Sequence, residues 1–89
     1  MRPRSTNDAD ALALSALATT LTDERRAQRF LDLTGIGTDE LKRKASDPAL
    51  LSALLRFLEA FEPDLVDVAE ALGVAPTTLV EARRQLEDQ

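Results

Sequence analysis

The chain has 89 residues, 44% of them hydrophobic and 30% charged, and its 16 acidic side chains against 11 basic ones leave a net charge of −5. That length supports one core, burying about 60 to 65 per cent of the unfolded surface, and the apolar content is too high for a disordered segment. Cysteine and histidine are absent, which excludes disulfides, the usual zinc and iron–sulfur ligand sets and any histidine-based triad. Tyr and Trp are absent too, and Phe30, Phe57 and Phe61 are the only aromatic residues, so platforms for stacking bases or sugars are scarce.

Residues 1–6 lack apolar periodicity and are expected to form a flexible tail before a single helical domain over 7–89. Arg2 and Arg4 ahead of an apolar run imitate a signal peptide, but Asp8 and Asp10 put negative charge where its hydrophobic region should begin. The longest uncharged stretch, Ala11 to Thr22, is 12 residues, well short of the roughly 20 that span a bilayer. A cytoplasmic chain without a membrane segment is expected, and the lack of cysteine points the same way.

Asn7 or Asp8 can cap a first helix, in which Leu14, Leu17, Ala18 and Leu21 follow the i, i+3, i+4, i+7 rule for an inner face. Thr22 is the expected cap of the second, with Asp23 and Glu24 at the positive end of its dipole and Ala27, Phe30, Leu31 and Thr34 inward. Gly35 followed by Ile36 matches a left-handed glycine stop with an apolar residue folded back. A short third helix, Asp39 to about Ala45, carries only Leu41 and Ala45 inward and turns Lys42, Arg43 and Lys44 to water.

Asp47-Pro48 is a helix start, because Asp accepts the free amides of the first turn and Pro tolerates the first helical position. In the fourth helix Leu50, Leu51, Leu54, Leu55, Phe57, Leu58 and Phe61 leave Ser52, Arg56 and Glu59 as the polar stripe. So apolar a helix should sit at the centre, with Leu54, Leu55 and Leu58 its most inaccessible residues. Pro63 opens a fifth helix with Leu65, Val68, Ala69 and Leu72 inward, and Gly73 stops it with Val74 folded back. Pro76, with Ala75 as its cap, opens the last helix on Leu79, Ala82 and Leu86. The expected fold is all-α: a compact bundle of five short helices plus one short extra helical turn.

Residues 64–86 resemble a helix-turn-helix through Ala69, Gly73 and Leu79, framed by Val68, Leu72, Val74 and Ala82. A small residue lets two helices cross closely, and Gly adopts the left-handed turn. The positions that would meet base edges are Ala75, Pro76, Thr77, Val80 and Glu81, none of which pairs well with a base. Seven acidic residues from Glu62 to the C-terminus face only Arg83 and Arg84, so the whole net charge of −5 lies there. Because neutralising phosphates supplies most DNA affinity, that charge argues against nucleic acid.

No pattern points to catalysis or to a bound group. Lys42 and Ser46 are four apart, but a catalytic lysine must be buried to lose its proton and Lys42 is flanked by Arg43 and Lys44. Asp8 with Asp10, or Asp64 with Asp67, lack the central Gly and terminal Glu of a calcium loop and read as caps and solubilising charge. Gly35 and Gly37 follow a helix and lack a Lys-Ser or Lys-Thr pair, so they form no phosphate loop. No catalytic, cofactor-binding or metal-ligating residue is expected. The residues singled out are structural: Gly35, Asp47, Pro48, Leu54, Leu55, Leu58, Gly73 and Pro76.

Arg29-Phe30-Leu31-Asp32-Leu33-Thr34-Gly35, then Leu41, Ala45, Asp47-Pro48, Leu54-Leu55, Phe57-Leu58 and the Leu65, Ala69, Gly73, Pro76 series resemble the small bacterial proteins grouped as domain of unknown function 3572. The resemblance runs from about Ala9 to Leu86. It implies an all-helical stand-alone protein and carries over no activity, cofactor or catalytic residue. By exclusion, and from the apolar surplus of the fourth helix, the expected function is a non-enzymatic module that binds a protein partner, or itself, through an apolar groove or the acidic hairpin. The alternative is a nucleic-acid-binding regulator using segment 64–86 with Arg83, Arg84, Arg2 and Arg4. A monomer is expected over a homodimer, since five other helical segments can cover the fourth.

Overall fold

A computed structural model describes residues 6–88. Along them run six helices and no strand: α1 (Thr6–Leu21), α2 (Glu24–Thr34), α3 (Thr38–Arg43), α4 (Pro48–Glu59), α5 (Glu62–Leu72) and α6 (Pro76–Glu87). None of these helices is long and apolar enough to cross a membrane. The architecture is the expected all-α bundle, with α3 as the short extra piece. The tail expected over residues 1–6 lies, apart from Thr6, outside the described residues.

Most boundaries follow local chemistry. At the start of α4 the Asp47 carboxylate accepts from the Ala49 amide at 2.9 Å, with Pro48 beginning the helix. Gly35 and Gly73 both stop their helices at φ 72°, where a side chain would be strained. At Gly73 the stop is a full Schellman pair: Val74 N–H donates to Ala69 C=O at 3.0 Å and Gly73 N–H to Glu70 C=O at 3.1 Å. At Gly35 the glycine amide reaches Leu31 C=O at 2.8 Å, and the Thr34 hydroxyl accepts from the Ile36 amide.

Two caps differ from expectation. The helix cap before α2 is Asp23, whose side chain accepts from the Arg26 amide at 3.1 Å, while the Thr22 hydroxyl donates backward to Thr19 C=O at 2.6 Å. Asp outcompetes Thr because its carboxylate is charged and lies beside the positive helix end. In α1, Asn7 and Asp8 lie inside the first turn, since the helix already includes Thr6. The last helix keeps its poor cap: Ala75 is extended at φ −74°, ψ 149° and offers no side-chain bond to the free amides. Ala75→Ser is therefore expected to stabilise the protein by about 0.5 to 2 kcal/mol in urea denaturation; destabilisation would mean that Ala75 is buried or already helical.

The core is built around α4, which buries Leu50, Leu51, Leu54, Leu55, Phe57 and Leu58. Leu54, Leu55 and Leu58 are fully inaccessible, as expected of a helix covered by α1, α5 and α6. Phe30 of α2 meets Phe57 edge-to-face at 5.4 Å, a favoured geometry for two aromatic quadrupoles. Phe61, expected inward, is half exposed at the turn between α4 and α5, because α4 ends at Glu59 and the chain leaves the helix direction. On α5 and α6 the residues Val68, Ala69, Leu79, Ala82 and Leu86 are buried, with Leu65 and Leu72 partly so.

The inner face of α1 is the main correction. Ala9, Ala13, Ala16, Leu17 and Thr20 are buried, whereas Leu14, Ala18 and Leu21 are exposed. Ala and Leu occur on every side of this helix, so its apolar pattern fits more than one orientation. Small residues win the interior because α1 packs against α6, α4 and α5 together, and Ala lets helix backbones approach closely. Thr20 is accommodated by donating its hydroxyl to Ala16 C=O at 2.8 Å.

Candidate functional site

Three surface features could carry a function: the α5–α6 hairpin, the ion-pair clusters beside it and an apolar groove between α1 and α3. In the hairpin, the backbone turn at Gly73 and the burial of Ala69 and Leu79 supply the packing on which the resemblance to a helix-turn-helix rests. Ala75, Thr77 and Glu81 are exposed, and α1 lies alongside α6, placing Asp8 with Glu81 around a small cavity of about 70 Å³ that Thr78 and Gln85 also line.

Arg83, one of the four arginines on which the alternative nucleic-acid reading rests, is engaged within the fold. Its guanidinium donates to Glu59 at 2.5 Å and to Glu87 at 2.8 Å, and only 15% of the side chain is exposed. The surrounding carboxylates raise its pKa further, the hydrogen bond from Arg83 to Glu59 being the largest cause. Arg56 forks onto Glu87 at 2.6 and 2.8 Å, and the Ser52 hydroxyl donates to the same carboxylate at 2.6 Å. The polar stripe Ser52, Arg56, Glu59 is therefore an electrostatic seam fastening α4 to α6, where sequence alone suggests a solvated face.

These donors hold the Glu87 carboxyl down at about 2, from an ordinary 4.5, with the Arg56 hydrogen bond the largest cause and the Ser52 bond next. A carboxyl whose folded pKa lies below its unfolded one stabilises above the unfolded value, and loses that contribution as pH falls toward the folded one. The stability gap between the parent and Glu87→Gln should thus be full at pH 6 and shrink between about pH 4.5 and pH 2. Paired urea titrations at pH 6 and pH 2.5 check this; a gap independent of pH would mean that the seam does not form.

A second cluster joins α2 to α5. Asp64, expected as a solubilising charge, is buried, accepting from Arg26 at 2.9 Å and from Arg29 at 2.7 Å. Arg26 also reaches Asp67 at 3.1 Å, so the Asp64–Asp67 pair is turned toward arginine. Arg29 lies over the rings of Phe57 and Phe61 at 5.4 and 5.5 Å. The half-exposed Phe61 ring thus has a cation over its face.

The groove lies between α1 and α3. Leu14, Leu17, Ala18 and Leu21 form one wall and Thr38, Leu41, Lys42 and Ala45 the other, around about 250 Å³. Leu14 and Leu21 are 43% and 37% exposed, and these are the residues expected to point inward. Their displacement by Ala13, Ala16 and Thr20 in the interior leaves the groove on the surface. Sequence reasoning found the residues but gave them to the core, since periodicity marks an apolar stripe without saying which neighbour covers it. Lys42, set aside as a catalytic residue, is exposed on α3 at this groove's edge.

Of the residues singled out from sequence, Gly35, Asp47, Pro48, Gly73 and Pro76 sit at helix ends and Leu54, Leu55 and Leu58 in the core. They are spread along the chain and form no common site. Comparison with curated proteins and with solved structures finds no match for the chain. The family model described as "Protein of unknown function (DUF3572)" matches residues 6–89, nearly the whole chain, and includes the stretch from about Ala9 to Leu86 on which the sequence resemblance rests. The chain belongs to the DUF3572 family.

Proposed function

We propose that the protein is a non-catalytic helical interaction module that receives a protein partner in the α1–α3 groove. The observation that carries this reading is the clustering of Leu14, Leu17, Ala18, Leu21, Leu41 and Ala45 around one surface concavity. Single exposed apolar residues are ordinary, but contiguous ones rimmed by polar groups mark contact surfaces. Leu33 illustrates the ordinary case: it is 71% exposed and lines no part of the groove.

The test is capture of proteins from native lysate on three immobilised forms: the parent, Leu14→Glu/Leu21→Glu and Leu33→Glu. Polypeptides held by the parent and by Leu33→Glu, and lost from the groove variant, support the reading. Retention that ignores the groove substitutions sinks it. Circular dichroism of each form serves as the control for folding. Mixed-sequence duplex DNA at low salt, where phosphate contacts are strongest, is expected to give no binding; binding abolished by Arg84→Ala would instead move the function to the hairpin.

A further inference from the structure

We infer that the occupant of the α1–α3 groove is an acidic amphipathic helix of the partner, an inference that rests on the interaction reading above. Leu14, Ala18 and Leu21 stand at i, i+4 and i+7, so the exposed wall runs two turns, about 10 Å along α1. Opposite them, Thr38, Leu41 and Lys42 stand on α3 and Ala45 on the turn that follows it. Ala18, between Leu14 and Leu21 on α1, and Ala45, on the turn that follows α3, are the small residues of a trough that receives the side-chain ridge of a further helix. The matching ligand carries apolar anchors at i, i+3 or i+4, and i+7.

Charge selects among such helices. Lys42 is the one charged residue lining the groove, and a lysine in that position lays its methylene stem along the apolar wall with its ammonium at the rim. Lys44, two residues on, is paired with Glu40 at 3.1 Å, whereas Lys42 makes no ion pair among the described residues. A helix with Asp or Glu flanking its anchors would place a carboxylate against that ammonium, and a basic helix would be repelled. The pair lies at an exposed rim, so its contribution is selectivity more than affinity.

The probes are three capped, fluorescent helical peptides with Leu anchors at i, i+4 and i+7, flanked by Glu, by Gln or by Lys. They are titrated against the full chain while the methyl resonances of leucine and alanine are followed. The expected result is perturbation at Leu14, Ala18, Leu21 and Leu41, with the Glu peptide binding about fivefold more tightly than the Gln peptide and the Lys peptide weakest. Lys42→Glu, an exposed substitution that keeps the fold, should invert the order. Failure of all three peptides to bind, shifts centred elsewhere, or an order that Lys42→Glu leaves unchanged would each overturn the proposal. So would saturation of the same methyls by decanoate more tightly than by any peptide, or a doubling of mass in sedimentation with the groove methyls perturbed, which would give the groove to an acyl chain or to a second copy. Groove-dependent capture from lysate together with a charge-blind peptide series would leave the interaction reading standing and remove only the acidic helix; loss of both would remove both.

Discussion

Leu55→Ala is expected to lower the stability of the protein by about 2 to 5 kcal/mol. The side chain is fully inaccessible in the helix that α1, α5 and α6 surround, so its removal takes away both transfer free energy and the contacts of the atoms left around the void. Helices packed on several sides of a site collapse poorly into it, which places the effect toward the upper part of that range. A chain of 89 residues has about 4 to 13 kcal/mol in all, so one such deletion removes a large share. In thermal unfolding the midpoint should fall by about 8 °C or more. Leu33→Ala, at a residue 71% exposed, serves as the control and should stay within about 0.5 kcal/mol of the parent. Equal melting of Leu55→Ala and the parent would show that α4 is peripheral and the packing order wrong.

Asp64→Ala is the second large effect, expected to destabilise by about 2 to 4 kcal/mol. Removing the carboxylate leaves two guanidinium groups that now share it, and the Arg26 side chain is only 12% exposed. The loss is smaller than for a wholly enclosed pair, because Arg26 retains Asp67 at 3.1 Å and the Arg29 side chain is 48% exposed. Arg29→Ala should cost less, since Asp64 keeps Arg26 and only the stacking on Phe57 and Phe61 is lost with the second bond. Urea denaturation of the two single variants and of the double variant measures the coupling. Additive effects would mean that Asp64 and Arg29 do not act on each other, contrary to the 2.7 Å bond between them.

Helix placement was legible in the sequence wherever the deciding chemistry is local. Asp47-Pro48, Pro63, Pro76, Gly35 and Gly73 act within one turn of themselves, through backbone amides and φ preferences that any neighbouring residue sequence would feel. The burial of α4 was legible for a different reason: with Leu or Phe on nearly every side, the helix is inaccessible in any packing that hides its apolar surface. The family resemblance likewise needed no coordinates, because it lies in the order of residues. The misplaced cap before α2 was a contest between adjacent Thr22 and Asp23, decided by the charge of the carboxylate, and lies at the edge of what local reasoning resolves.

The candidate site was not legible, since each of its parts depends on residues distant in the chain. Asp64 reads as a surface charge until Arg26 and Arg29, more than 30 positions earlier, are brought against it. Arg83 reads as a cation available to phosphate until Glu59 occupies it. In α1 the sequence determined a helix apolar on several sides, but rotation about its axis was decided only when α4, α5 and α6 closed on it. Close approach of those backbones selected Ala9, Ala13 and Ala16 for the interior, and the same selection turned Leu14 and Leu21 outward. By itself the sequence determined which segments are helical, where they stop and which one is central, because those depend on single residues and short-range spacing. The tertiary structure alone decided which apolar face stays at the surface, because burial is a property of what packs against a side chain and not of the side chain.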